Sequence, residues 1–304
     1  MASTDRPFFM LIVLDGFGCR REAEWNAIRQ ATKPRIDQLF NNAAWTTIDA
    51  SGLSVGLPPG QMGNSEVGHL NIGAGRIVDQ DIVRITKAIR QGELQNIPSL
   101  VETIEAVKKD GKAVHLVGLL SEGGVHSLQS QLHGLIDAVI ADGMGMRDGD
   151  LPSVYIHAIL DGRDTPPSSA IANVNSLSEY IADKPQVQIA SIVGRYYTMD
   201  RDKRWERVQK GYDLMTLGIG TETNDPVACI ERFYEAGTTD EFMPPIAVLG
   251  KDGAHHGKVR DGDAVIFFNF RSDRMREIVI AFRDDDFDGF EREMRPKARL
   301  LAMV

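Results

Sequence analysis

Cysteine is nearly absent from this 304-residue sequence: only Cys19 and Cys229 occur, far apart and in no metal-ligand spacing. That excludes a disulfide framework and a cysteine zinc site, and it fits a reducing, cytoplasmic setting. Long apolar runs are absent too. The run Phe8 to Leu14 (FFMLIVL) ends at once in Asp15, too short for a secretory signal core with its cleavage site, and nothing else approaches a membrane span. Positive charge is in deficit. With 34 basic against 43 acidic residues and a net charge of -9, neither nucleic acid nor an anionic membrane surface is the expected partner. An anionic small molecule stays open, because local arginines decide that and the total does not. There is no internal repeat, low-complexity tract or long linker. A chain of this length buries roughly three quarters of its unfolded surface and has room for two domains.

What the sequence does hold is a glycine-rich stretch from Gly60 to Arg76 (GQMGNSEVGHLNIGAGR), with a single serine, Ser65, set between Asn64 and Glu66 where a loop turns into a helix. Such a turn aims backbone N–H groups and the positive helix end at whatever sits beside the serine. The environment suits a phosphorylated serine, provided a base or a metal activates the hydroxyl. Taken alone, the stretch serves equally well as an N-cap with a set of tight turns.

Along the chain, Phe8 to Leu14 reads as a central parallel strand that places Asp15 at its C-terminal end, and Trp45 to Asp49 as a second short strand before the Ser65 loop. Asp15 and Ser65 are then expected at one sheet edge. Lys33 to Phe40 reads as a helix, as do Asp79 to Gly92 and Pro98 to Gly111, and the chain is expected to pass from one domain to another near there. Beyond Gly111, strands alternate with helices. The strands Ala113 to Leu119, Val154 to Leu160, Val187 to Val193 and Ala264 to Phe270 each end in polar residues, and these loops carry His126, Asp161, Arg163, Asp164, Arg195, Arg201, Arg271 and Arg274.

In open α/β sheets ligands bind beyond the carboxyl ends of the strands, so those loops should face one site. Five arginines in one crevice repel one another unless an anion compensates them, and guanidinium forks match carboxylate and phosphate. Each residue alone has an ordinary explanation: a turn aspartate, a surface arginine, a structural histidine. Their joint position after apolar strands is the signal. His115 and His157 lie inside strands and His133 in a helix, where packing roles are expected, and His255-His256 reads as a loop tip.

The segments VLDGFG, GQMGNSEVGHLNIGAGR, LLSEGGVHS, HAILDGRDTPP, GRYYTMDRDKRWERV and FFNFRSDR, spread from Val13 to Arg274, resemble the cofactor-independent (2,3-bisphosphoglycerate-independent) phosphoglycerate mutases. Phe17 stands where many members of that family carry tryptophan, and Ser272 where proline or alanine is usual. The resemblance implies an α/β fold of two domains: an alkaline-phosphatase-like split domain, here residues 1–78, and an inserted phosphotransferase domain, here residues 79–304. It implies an isomerase of glycolysis and gluconeogenesis that interconverts 3-phosphoglycerate and 2-phosphoglycerate through a phosphoserine. Carried over, Ser65 would be the phosphorylated residue and a ligand to both of two manganese ions, with Asp15 a ligand to one. His126, Arg163, Asp164, Arg195, Arg201, Arg271 and Arg274 would hold the phosphoglycerate, and Asp164 is the candidate for proton transfer.

Members of that family are longer, and their remaining metal ligands come from a C-terminal segment. One ion needs four to six ligands, so Asp15 and Ser65 do not make a centre by themselves. On this reading the phosphatase-like domain is incomplete, its apolar surface exposed, the 304-residue chain nearly inactive alone, and a C-terminal complementing polypeptide its expected partner. A second reading is a non-catalytic phosphoglycerate-binding fragment. A metal-dependent hydrolase or phosphopentomutase of the same superfamily is disfavoured, because the loops at Arg163, Arg195 and Arg271 resemble the phosphoglycerate enzymes.

Overall fold

A computed structural model describes residues 8–148 and 151–303. The chain divides into two compact units, Met1–Gln80 and Asp81–Val304.

The second unit is built on one sheet. Its strands are β1 (Val114–Leu120), β2 (Val154–Leu160), β3 (Val187–Gly194), β4 (Thr221–Thr223), β5 (Ile246–Val248), β6 (Ala264–Phe267) and β7 (Arg299–Ala302), in the order β4-β5-β3-β2-β1-β6-β7. β1 pairs in parallel with β2 and β6, and β2 with β3, so the polar loops after these four strands emerge at the same edge. β5 runs antiparallel to β3. β1 and β2 are near-continuous apolar runs because helices cover both faces and every residue in them is buried. Successive side chains point to opposite faces, and β1 divides accordingly. Leu116 and Leu120 pack with Ile104, Leu132 and Ile156 in one core, Val117 and Leu119 with Ile159, Tyr212 and Phe267 in the other.

Regular pairing of β6 stops at Phe267, short of the Phe270 expected from hydropathy. There the Asn269 side chain takes over the ladder, its Oδ1 accepting the Leu119 N–H at 2.9 Å. Opposite it the Phe268 ring lies so close to Gly118 that a Cβ on that residue would stand 2.7 Å from a ring carbon. Glycine is what lets the phenylalanine cross the strand.

The first unit is organised differently from the expectation. Neither Phe8–Leu14 nor Trp45–Asp49 forms a strand, and its described residues contain none. A strand needs a neighbour for its backbone groups, and two short segments are at best marginal as an isolated pair. Phe8 and Phe9 are 85% and 88% exposed. What order the unit has comes from the helices Pro34–Asn42 and Ser65–Ala74 and a small core of Val55, Leu57 and Val67. The second helix has full punctuation: Asn64 accepts the Val67 N–H through its side chain, and Gly75, at φ 64, closes the C-terminal end.

Candidate functional site

At the carboxyl edge of the second unit's sheet, the loops fold around carboxylates. Asp161, directly after β2, accepts the backbone N–H of Arg163 at 3.2 Å and of Asp164 at 2.9 Å through Oδ1, and the Ser121 hydroxyl from the loop after β1 donates to its Oδ2 at 2.6 Å. This aspartate turn fixes where Arg163 and Asp164 leave the sheet. Arg195 opens the short helix directly after β3. Its Nη1 donates to Asp161 Oδ1 and to Asp164 Oδ2, each at 2.6 Å, and its Nη2 to His126 Nε2 at 3.1 Å. Burial pushes the Asp161 carboxyl up, but Ser121, the Asp164 N–H and Arg195 outweigh it and hold it below the usual range. Asp161, weighed in the sequence as a turn aspartate or a site residue, is a turn residue that also anchors Arg195.

His126 is neutral, its proton affinity pressed down to a pKa of about 4 by burial first and then by Arg195 and Arg271. Because Nε2 accepts from Arg195, the ring proton is on Nδ1. Nδ1 is buried and has no hydrogen-bond partner; the nearest acid, Asp273, stands 3.8 Å away. An N–H of this kind is a donor with no acceptor in the protein.

The rest of the cluster hangs on Asp273, which accepts from Arg201 Nη1 at 3.1 Å through Oδ2 and from Arg271 Nε at 3.0 Å through Oδ1. Arg274 Nη1 donates to the Met199 carbonyl at 3.1 Å, and Arg163 lies 3.6 Å from Glu241. The side chains of Arg163, Arg201 and Arg271 are 55%, 48% and 51% exposed, so their unused N–H groups face solvent. Arg163, Arg195, Tyr196, Arg201, Glu241 and Arg274 line a pocket of about 160 Å³.

The structure thus gathers His126, Arg163, Asp164, Arg195, Arg201, Arg271 and Arg274 at one edge. It also qualifies the expectation that only an outside anion balances the arginines. The five guanidiniums face Asp161, Asp164, Asp273 and Glu241, and Asp200, Asp202 and Arg207 line the same pocket. Positive charge still prevails at Arg274, whose proton affinity is lowered by burial and then by Arg201, Arg195 and Arg163. Sequence reasoning missed Asp273 and Glu241. The first was within reach, lying between Arg271 and Arg274 where an acid among arginines is a partner by default.

In the first unit, Ser65 is the first residue of its helix and exposed, and its hydroxyl donates to Asp15 Oδ2 at 2.6 Å. His69, one turn on, holds Nδ1 2.8 Å from the Ser65 carbonyl and 3.3 Å from its hydroxyl. Asp15 and Ser65 are hard oxygen donors aimed at each other, the chemistry a divalent cation such as manganese or magnesium takes. As donors they fit such an ion, though among the described residues no group of three or more His, Cys, Asp or Glu could hold a metal ion.

Residues 85–304 match the family model described as the BPG-independent PGAM N-terminus. A 2,3-bisphosphoglycerate-independent phosphoglycerate mutase of Methanosarcina acetivorans is 47% identical over all of this chain and 57% of its own length. That of Clostridium novyi is 48% identical over 93% of this chain and 54% of its own length. Among solved structures, Leishmania mexicana phosphoglycerate mutase, crystallised at low cobalt concentration, superposes with a TM-score of 0.74 at 36% identity, covering 96% of this chain and 54% of that one. The chain spans a little over half the length of the relatives it matches.

Proposed function

The chain belongs to the 2,3-bisphosphoglycerate-independent phosphoglycerate mutase family, and on that footing we propose that its second unit holds phosphoglycerate in the arginine pocket for isomerisation between the 3- and 2-phospho forms. The observation that carries this reading is Arg274, a half-buried guanidinium crowded by Arg163, Arg195 and Arg201 beside a pocket the size of a small anion. Phosphate and carboxylate are the groups whose geometry guanidinium forks match. In this reading Arg163, Arg195, Arg201 and Arg274, which line the pocket, and Arg271 and Asp164 at the same edge hold the phosphate and carboxylate, while the unpartnered Nδ1–H of neutral His126 donates to a substrate oxygen.

The remaining parts are assigned on the same basis. Residues 1–78 are the first piece of a metal-binding phosphatase-like domain, and residues 79–304 the phosphotransferase domain. Ser65 takes the phosphoryl group: its Oγ–P bond forms as the bond to the 3-oxygen breaks, and the group then passes from Ser65 to the 2-hydroxyl of the same glycerate. Its position at a helix N-terminus favours the phosphorylated state. Asp15 Oδ2 accepts the serine proton, and Asp164, fixed by Arg195, carries a proton to and from the glycerate hydroxyls. Metal ions, manganese in our assignment, would supply charge neutralisation at the phosphoryl group, with Asp15 and Ser65 among their ligands. The other ligands are assigned to a complementing C-terminal polypeptide.

The test is a manganese-supplemented assay of 3-phosphoglycerate conversion on this chain, alone and mixed with the remaining segment of the Methanosarcina relative. We expect substrate binding by the chain alone, with conversion in the mixture that Ser65→Ala abolishes. Conversion that survives Ser65→Ala, or a chain that does not bind 3-phosphoglycerate, contradicts the reading.

A further inference from the structure

Arg201 is carried by the segment Met199–Arg204, whose shape the backbone does not take unaided. Lys203 sits at φ 58, the left-handed region that residues with a Cβ disfavour. Two acids impose it. Asp200 Oδ2 accepts the N–H of Asp202 and of Arg204, both at 2.9 Å, and Glu277 Oε1 accepts the N–H of Lys203 at 2.8 Å. Glu277 belongs to the helix Arg276–Arg283, which begins just after Arg274, so the clasp ties the segment bearing Arg201 to the one bearing Arg271 and Arg274. The Arg274 bond to the Met199 carbonyl and the Arg201 pair with Asp273 close the same seam.

Both acids are buried, Asp200 to 5% and Glu277 to 7% exposure. The second oxygen of Glu277, Oε2, is buried with no donor from the protein, while its carboxyl faces that of Asp200. The other charged groups facing the pair are Arg207, from the helix Trp205–Leu217, whose Nη1 lies 3.3 Å from Asp200 Oδ1, and Asp202 in the segment itself, and Asp200 also shares its pocket with Arg163, Arg195, Arg201, Arg274 and Glu241. Two carboxylates in contact at a buried site do not both stay ionised. A single proton on Glu277 resolves the geometry, because Oε2 then donates to Asp200 while Oε1 keeps the Lys203 N–H.

We propose that Glu277, which accepts the Lys203 N–H through Oε1, is a positioning residue that shapes the Met199–Arg204 segment and so presents Arg201 to the substrate. The directions of proton affinity agree. Glu277 is raised, by burial first and then by the charges of Asp200 and Asp202. Asp200 is pushed up by burial, but the backbone donors of Arg204 and Asp202, with Glu277 and Arg207, bring it below the usual range. Asp200 lines the arginine pocket and Glu277 does not, and the inference rests on that pocket being the phosphoglycerate site.

The experiment is a titration of the chain with 3-phosphoglycerate from pH 6 to pH 9, on the unaltered protein, Glu277→Gln and Glu277→Leu, with amide hydrogen exchange of residues 199–204 in the absence of ligand. In Glu277→Gln the new side-chain amide can donate to Asp200 while its oxygen keeps the Lys203 N–H, so this variant retains affinity within about twofold, whereas Glu277→Leu loses about tenfold or more. Burial and the neighbouring Asp200 raise Glu277, and its ionisation sets two carboxylates against each other, so any loss of affinity and exchange protection that the unaltered protein shows with rising pH is absent from Glu277→Gln. If Glu277→Leu does not fold, the pH comparison decides alone. Equal affinity in all three proteins, Glu277→Gln as weak as Glu277→Leu, or the same pH profile with and without the acid overturns the proposal. Absence of binding by the unaltered protein at every pH rejects the pocket assignment instead. The exchange data, which need no ligand, then still judge the clasp: unprotected Lys203 and Arg204 amides in the unaltered protein refute it.

Discussion

Arg195 Nη1 and Asp161 Oδ1 lie 2.6 Å apart with only 3% and 2% of their side chains exposed, and Asp164 Oδ2 meets the same nitrogen at 2.6 Å. The guanidinium thus ties His126 and Asp164 to Asp161 while it lines the arginine pocket, and the half-exposed arginines around it retain free donors.

Removing one member of that pair should be costly. Asp161→Ala leaves a buried guanidinium with half its compensation and also removes the turn that carries Arg163 and Asp164. Breaking a buried pair by taking one partner away costs about 3–5 kcal/mol. Urea unfolding should register a loss of that order; a loss below about 1 kcal/mol, the worth of an exposed pair, contradicts the assignment.

Acid should destabilise the chain in two stages. His126 binds its proton at about 4 when folded and at 6.5 when unfolded, so between those values the unfolded chain holds more protons and stability falls as pH falls. His157 adds to this, lowered well below 6.5 by burial and then by His115 and His255. The carboxylates Asp161, Asp263 and Asp273, all held below 3.8, contribute stability that is complete above that value and is lost as pH drops through their folded values. Glu277 and Asp240, raised by burial, work in the opposite sense, so the comparison is between proteins: from pH 7 to pH 5 the unaltered chain should lose thermal stability relative to His126→Gln. The same pH dependence in both contradicts it.

The first unit should advertise its exposed apolar run. Phe8, Phe9, Leu11 and Ile12 are 85%, 88%, 65% and 69% exposed, and a contiguous apolar patch of this kind marks a contact surface or an aggregation site. The chain is expected to bind an apolar dye such as ANS and to self-associate, with Phe9→Lys and Leu11→Lys together reducing both. A chain that binds no dye contradicts this.

The second unit's architecture was largely legible because β1 and β2, buried on both faces, are near-continuous apolar runs, and parallel strands deliver their following loops to one edge. His126, Arg163, Arg195 and Arg271 could be placed together on that rule. The acids that meet the arginines could not: Asp273 and Glu241 acquire meaning only when distant segments meet, and the antiparallel β5 is too short to read as a strand. Phe8–Leu14 shows the opposite failure, since hydropathy states that a segment favours burial and says nothing of whether a partner is at hand. The Ser65 hydroxyl still meets Asp15, though with no strand beneath either residue in the described part of that unit.

Calorimetric titration of the chain with 3-phosphoglycerate, with Arg271→Ala beside it and Arg283→Ala as a control, addresses the arginine cluster directly. Arg283 is exposed and paired with Asp284, remote in role from the cluster. With charge-assisted bonds worth about 1.5–3 kcal/mol each, the account predicts saturable binding that Arg271→Ala weakens by more than about tenfold and Arg283→Ala leaves unchanged. Binding that is indifferent to Arg271→Ala would mean that these loops do not form the site.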